Sequence, residues 1–202
     1  MKSLTALIIG LFLTLFVVTA NAERSSYFNL PEVFEIPETD QTNLKKVLNG
    51  LMLNNSIGLR YGTPSSKQIL PINTKELYFQ RRLPLIGDSL LIPAFEASIS
   101  QLNVGEGKGY VWGLGPAAAI PLTESANRLY LVGHAKVNYL TKHDYGRKRY
   151  GGQVQWTYGF GLQTKVSYNT FISYMWIHMS NADRYEVNPA LETHTMTLGV
   201  NF

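Results

Sequence analysis

The chain begins with an apolar run too short to remain in a membrane, and no comparable run follows it. Met1-Lys2-Ser3 is a short basic start, Leu4 to Val18 is broken only by small or hydroxyl residues, and Ala20-Asn21-Ala22 is a small-x-small cleavage site. A spanning helix needs ~20 apolar residues, so residues 1–22 read as a signal peptide that is removed on export. Lipid admits only structures that satisfy their own backbone hydrogen bonds. Any membrane role of the mature chain therefore falls to strands.

Composition narrows the classes further. The 202 residues include no cysteine, which excludes a disulfide framework and a lipidated cysteine anchor. Of the net charge of +4, Lys2 leaves with the signal peptide, so the mature chain carries +3, scattered along its length. That is too mild for nucleic acid as a partner. No carboxylate cluster resembles a calcium loop, and no Gly-x-Gly-x-x-Gly precedes a helix. No cofactor or metal is implied.

Residues 23–52 are a polar, proline-containing lead-in. Within it Leu44, Val47, Leu48 and Leu51 fall at helical spacing behind the caps Asp40 and Thr42, the pattern of a short amphipathic helix. From residue 53 the texture changes to segments rich in Tyr, Phe, Trp, Val, Thr and Gly, separated by turn clusters. Strands are expected near 53–62, 75–85, 89–102, 109–121, 128–142, 149–162, 165–180 and 191–202. Eight long strands behind an export signal predict an all-β fold, an eight-stranded antiparallel transmembrane β-barrel of the outer-membrane type over residues 53–202.

A soluble barrel would have a similar strand count. In the last segment Met196, Leu198, Val200 and Phe202 alternate with Thr193, Thr195, Thr197, Gly199 and Asn201, so one face is apolar and the other small and polar. Alternation alone does not say which face points outward. The aromatic Phe202 at the end of the strand resembles the assembly signal of outer-membrane proteins, and on that reading the even positions meet lipid. Tyr158 with Phe160, and Tyr174 with Trp176, sit where aromatic girdles would. With both barrel ends in the periplasm, turns near Leu85–Asp88 and Gln163-Thr164 are periplasmic, and the segment from Asn181 to Ala190 lies at the cell surface.

Beside that segment stand residues with chemical potential. His178 and Ser180 are two apart on a strand and share a face. Strands paired in a hairpin keep a constant index sum, so a register setting Ser180 opposite Ala190 also sets His178 opposite Glu192, on the even-numbered face. A serine hydroxyl needs a base to become a nucleophile, and an imidazole titrates near neutrality. A carboxylate fixes the ring's tautomer and stabilises the imidazolium. Asn181 and Asn188 place amides nearby for an oxyanion.

His178-Met179-Ser180-Asn181-Ala182, followed by Asn188-Pro189 and Glu192, resembles the lipid A 3-O-deacylases of the PagL type. The resemblance implies hydrolysis of the 3-O-linked acyl chain of lipid A in lipopolysaccharide, a carboxylic ester hydrolysis at the outer leaflet. It implies Ser180 as nucleophile, His178 as general base and Glu192 as its orienting acid, with Asn188 and Asn181 lining the oxyanion hole. Where the family commonly has glycine after Asn-Pro, this chain has Ala190. Lipid A carries phosphates, and Lys142, Arg147, Lys148 and Arg149 form a locally basic outer loop suited to them. The partners expected are lipopolysaccharide and outer-membrane lipids, with a homodimer as a candidate assembly.

His194 shares the face of Glu192 and reads as a neighbouring or interface group; His134 and His143 have no triad partners near them in sequence. The competing functions are an outer-membrane phospholipase using the Ser–His pair, and a structural or adhesin barrel without catalysis.

Overall fold

The computed structural model describes residues 55–84, 90–122 and 129–202. The expected signal peptide and the expected helix around Leu44–Leu51 lie outside them. Eight strands follow one another: β1 (Asn55–Pro64), β2 (Ile72–Arg82), β3 (Ile92–Val104), β4 (Gly107–Pro121), β5 (Leu129–Leu140), β6 (Val154–Lys165), β7 (Thr170–Ser180) and β8 (Leu191–Asn201). Each pairs antiparallel with its neighbours, and β8 returns to β1, so the sheet closes on itself. Full closure leaves no unpaired edge, as a spanning sheet requires. At the seam the Asn55 N–H donates to the Phe202 carbonyl and the Phe202 N–H to that of Asn55, at 3.0 and 2.9 Å.

The barrel is inverted relative to a soluble one. On β8 the odd residues from Leu191 to Asn201 are buried and the even ones exposed. Leu59 at 65% and Leu198 at 58% exposure typify an outer wall that also carries Tyr61, Phe79, Trp112, Leu114, Phe160, Leu162 and Met196. At about 25 cal/mol per Å², an apolar wall of this kind facing water would be strongly disfavoured. It fits a bilayer.

The lumen is filled rather than open. Lys136 reaches the two carboxylate oxygens of Glu76 at 3.1 and 3.2 Å, Glu96 Oε1 at 3.0 Å and Ser98 Oγ at 3.0 Å. Arg60 pairs with Glu76 and, at 3.3 Å, with Glu96, while its guanidinium lies 4.4 Å from the centre of the Tyr78 ring. Nearer the loops that follow β1, β3, β5 and β7, an apolar layer takes over: Ile72, Leu102, Val104, Val111, Leu140, Tyr150, Met179 and Leu191. This layer braces from inside the strand ends that carry His178 and Glu192 outside.

All eight expected strands are present, with shifted ends. β6 starts at Val154 rather than 149, because the Tyr150 N–H donates to the His143 carbonyl at 2.7 Å and Asp144 bridges Arg149. These bonds fold residues 141–153 back on themselves. The turn expected at Gln163-Thr164 lies at residues 166–169, where Ser167 Oγ accepts from the Thr170 N–H at 3.1 Å. Gln163 and Thr164 are polar because they lie at the rim of β6, paired with Ser173 and Ile172. The turn near Leu85–Asp88 falls outside the described residues.

Candidate active site

Strand pairing brings the outward groups together. The β7–β8 register sets His178 opposite Glu192, and the ladder continues to Met179 and Leu191, where it ends one residue short of Ser180. On the other side, β6 sets Tyr158 opposite His178 and Trp156 opposite Ser180. Met179 and Leu191 turn into the apolar layer, so alternation sends Ser180, His178 and Glu192 outward.

His178 Nδ1 lies 3.6 Å from Glu192 Oε1, with the imidazole mostly covered and the carboxylate half exposed. The ring has aromatic neighbours. Tyr158 stacks on it at 4.9 Å and 26°, and Trp176 lies 6.0 Å away, itself packed against Tyr158 and Phe160 at 5.8 and 5.4 Å. Packing against the two rings restricts the imidazole's rotation, and Glu192 at Nδ1 favours the tautomer whose Nε2 is free to take a proton. Ser180, two residues along, is 6% exposed. Among the described residues no hydrogen bond joins it to His178; such contacts often tighten only when substrate binds.

The loop after Ser180 is tightly built. Ala182 and Asp183 have φ of 54° and 61°, left-handed positions costing about 1 kcal/mol each for residues with a Cβ. The Arg184 N–H donates back to the Asn181 carbonyl at 3.1 Å. Asn188 Oδ1 accepts from the Asn181 main-chain N–H at 3.0 Å, and its amide donates to Asp183 Oδ1 at 2.8 Å. That leaves Asn188 one amide proton. Asn181 is placed differently from the expectation: its side chain is fully buried and donates to the carbonyls of Tyr150 and Val187 at 3.2 and 2.7 Å. It ties the loop to residues 141–153 and has no free donor for an oxyanion.

The basic residues belong to that same neighbouring loop. Arg149 pairs with Asp144 at 3.0 Å, both side chains being well exposed. Lys142 lies over the Tyr145 ring at 5.1 Å and Lys148 over Tyr150 at 5.5 Å. Partial burial lowers the Lys148 pKa, and burial pushes the Tyr145 hydroxyl up to about 12. The other histidines separate cleanly. His194 stacks on Tyr174 and shares a 2.7 Å hydrogen bond with its hydroxyl, His134 is buried with Nδ1 3.7 Å from Glu96, and His143 sits in the basic loop.

Two neighbours of the site escape a local reading. Ser65, just past β1, donates its hydroxyl to Glu192 Oε2 at 3.3 Å and its N–H to the Glu192 carbonyl at 2.9 Å. Tyr158 is the other. Each touches the site only through pairing with a strand outside the β7–β8 hairpin.

An outward-facing apolar wall, a filled polar lumen and eight closed antiparallel strands define an outer-membrane β-barrel. The sequence family described as "Lipid A 3-O-deacylase (PagL)" matches residues 87–201, and the chain belongs to that family. It is thus a lipid A deacylase, a hydrolase of the bacterial outer membrane. No curated protein matches it in sequence. Among solved structures, the outer membrane enzyme PagL is similar with a TM-score of 0.61 and 14% identity, over 73% of this chain and 99% of that one. A de novo designed transmembrane β-barrel follows at 0.52 and 10%, over 75% and 97%. At such identities both likenesses speak to the fold alone.

Proposed function

We propose that the protein is an outer-membrane serine esterase that hydrolyses the 3-O-linked acyl chain of lipid A at the outer leaflet. Ser180 is the nucleophile, His178 the general base and Glu192 the acid that orients it. The observation that carries this reading is the His178 Nδ1–Glu192 Oε1 approach of 3.6 Å on the outer wall, two residues from Ser180. A lipid ester reaches such a site without leaving the membrane.

In the reaction His178 Nε2 takes the Ser180 proton as Oγ attacks the acyl carbonyl carbon, and the amide proton left on Asn188 faces the developing oxyanion. The imidazolium then protonates the departing sugar 3-oxygen. Water, deprotonated by the same ring, cleaves the acyl-serine ester and releases a 3-hydroxy fatty acid. Lys142, Arg147, Lys148 and Arg149 dock the phosphates of lipid A from the adjacent loop. An export signal at residues 1–22 delivers the chain to the periplasm.

The test is fatty-acid release from lipopolysaccharide by purified, heat-modifiable barrels. Ser180→Ala, His178→Asn and Glu192→Ala each lower release by at least a hundredfold, and wild-type protein liberates 3-hydroxy acid. Undiminished release by Ser180→Ala refutes the assignment. Release from phospholipid but not from lipopolysaccharide refutes the substrate.

A further inference from the structure

Glu192 has two carboxylate oxygens, and the two have different partners. Oε1 faces His178 Nδ1. Oε2 accepts from the Ser65 hydroxyl at 3.3 Å, and Ser65 comes from the far side of the barrel seam. The β1–β8 register runs Thr63 opposite His194 and Pro64 opposite Thr193, so the next step sets Ser65 opposite Glu192. The main-chain bond from the Ser65 N–H to the Glu192 carbonyl, 2.9 Å, carries the pairing that far. Pro64, whose ring fixes its own φ, immediately precedes it.

The physical need for such a group follows from exposure. Half of the Glu192 side chain is uncovered. A glutamate in that setting samples several rotamers, each costing orientation at the imidazole. A hydroxyl held by its own backbone to the same residue selects the rotamer that presents Oε1 to His178.

We infer that Ser65 is a positioning residue of the site, fixing Glu192 through Oε2 so that the carboxylate orients His178. The inference rests on the triad assignment above. Ser65 touches no reacting atom and acts only through Glu192.

The test is a double-mutant cycle on full-length protein, with 3-hydroxy fatty-acid release from lipopolysaccharide in detergent as the readout. Ser65→Val, which lacks the hydroxyl, lowers kcat about tenfold, the worth of one weak hydrogen bond to a charged group, with KM within twofold. Ser65→Thr has the same shape with the hydroxyl and recovers most of the rate. In a Glu192→Ala background Ser65→Val has no further effect, because the residue it acts through is gone. Equal rates for the Val and Thr variants overturn the proposal, as does a tenfold loss that persists in the Glu192→Ala background. The triad reading fails separately, when Glu192→Ala alone leaves release unchanged.

Discussion

Replacing Lys136 by methionine tests how the lumen is held. Lys136 is 3% exposed and lies within 3.0–3.2 Å of oxygens on Glu76, Glu96 and Ser98. Methionine is of similar length, so the substitution removes charge with little change in volume. Glu76 and Glu96 are then left to share Arg60, and breaking a buried ion pair from one side costs about 3–5 kcal/mol. Urea unfolding of barrels refolded into lipid vesicles, followed by fluorescence of the three tryptophans, should lose stability by that amount. Adding Glu96→Gln to Lys136→Met should restore at least half of it, since one stranded carboxylate is neutralised. Hydrolysis measured where the variant stays folded should remain near wild type, because the network lies behind the wall that carries the site. A single variant within about 1 kcal/mol of wild type would refute the reasoning, since removing one partner of a buried pair costs several times more. So would a double variant that loses the sum of both changes.

Two further outcomes follow from the geometry. Gly151 has φ of 79° and a Cβ there would run into the Val187 carbonyl beside the Asn181 amide; Gly151→Ala should lower hydrolysis about tenfold, by shifting the loop after Ser180, with the barrel's urea midpoint nearly unchanged. Leu198 faces out at mid-strand, so Leu198→Arg should destabilise the barrel in vesicles by about 2–4 kcal/mol. A neutral result at Leu198 would contradict the orientation of the wall.

Much of this was legible because strands carry information in parity and index sums. Eight turn-bounded segments marked eight strands, and the constant sum of a hairpin placed His178 opposite Glu192, as the β7–β8 register does. The direction of the faces was not legible from β8 alone. It becomes so from charges set within strands, Arg60, Glu76, Glu96 and Lys136 on four different ones, because four such groups have no place on a lipid-facing wall. The place of the Asn181 side chain also follows from parity. An odd residue after an outward Ser180 turns inward, and there it bonds Tyr150 and Val187. Ser65 and Tyr158 were illegible for a different reason. They reach the site through the β1–β8 seam and the β6–β7 pairing, and Ser65 is 127 residues from Glu192.

The seam itself has a consequence for when the protein becomes active. Glu192 lies on β8, the strand that completes the circle, and its second oxygen is held by Ser65, the residue that follows β1, the strand that began it. Before the two ends meet, the proposed acid lacks the restraint on its second oxygen, however well the β7–β8 hairpin has formed. The full hydrolytic rate would then come with the last event of assembly. A precursor still waiting to enter the membrane would be a slowed enzyme, and the bilayer that the enzyme acts on would also be the place where it reaches its full rate.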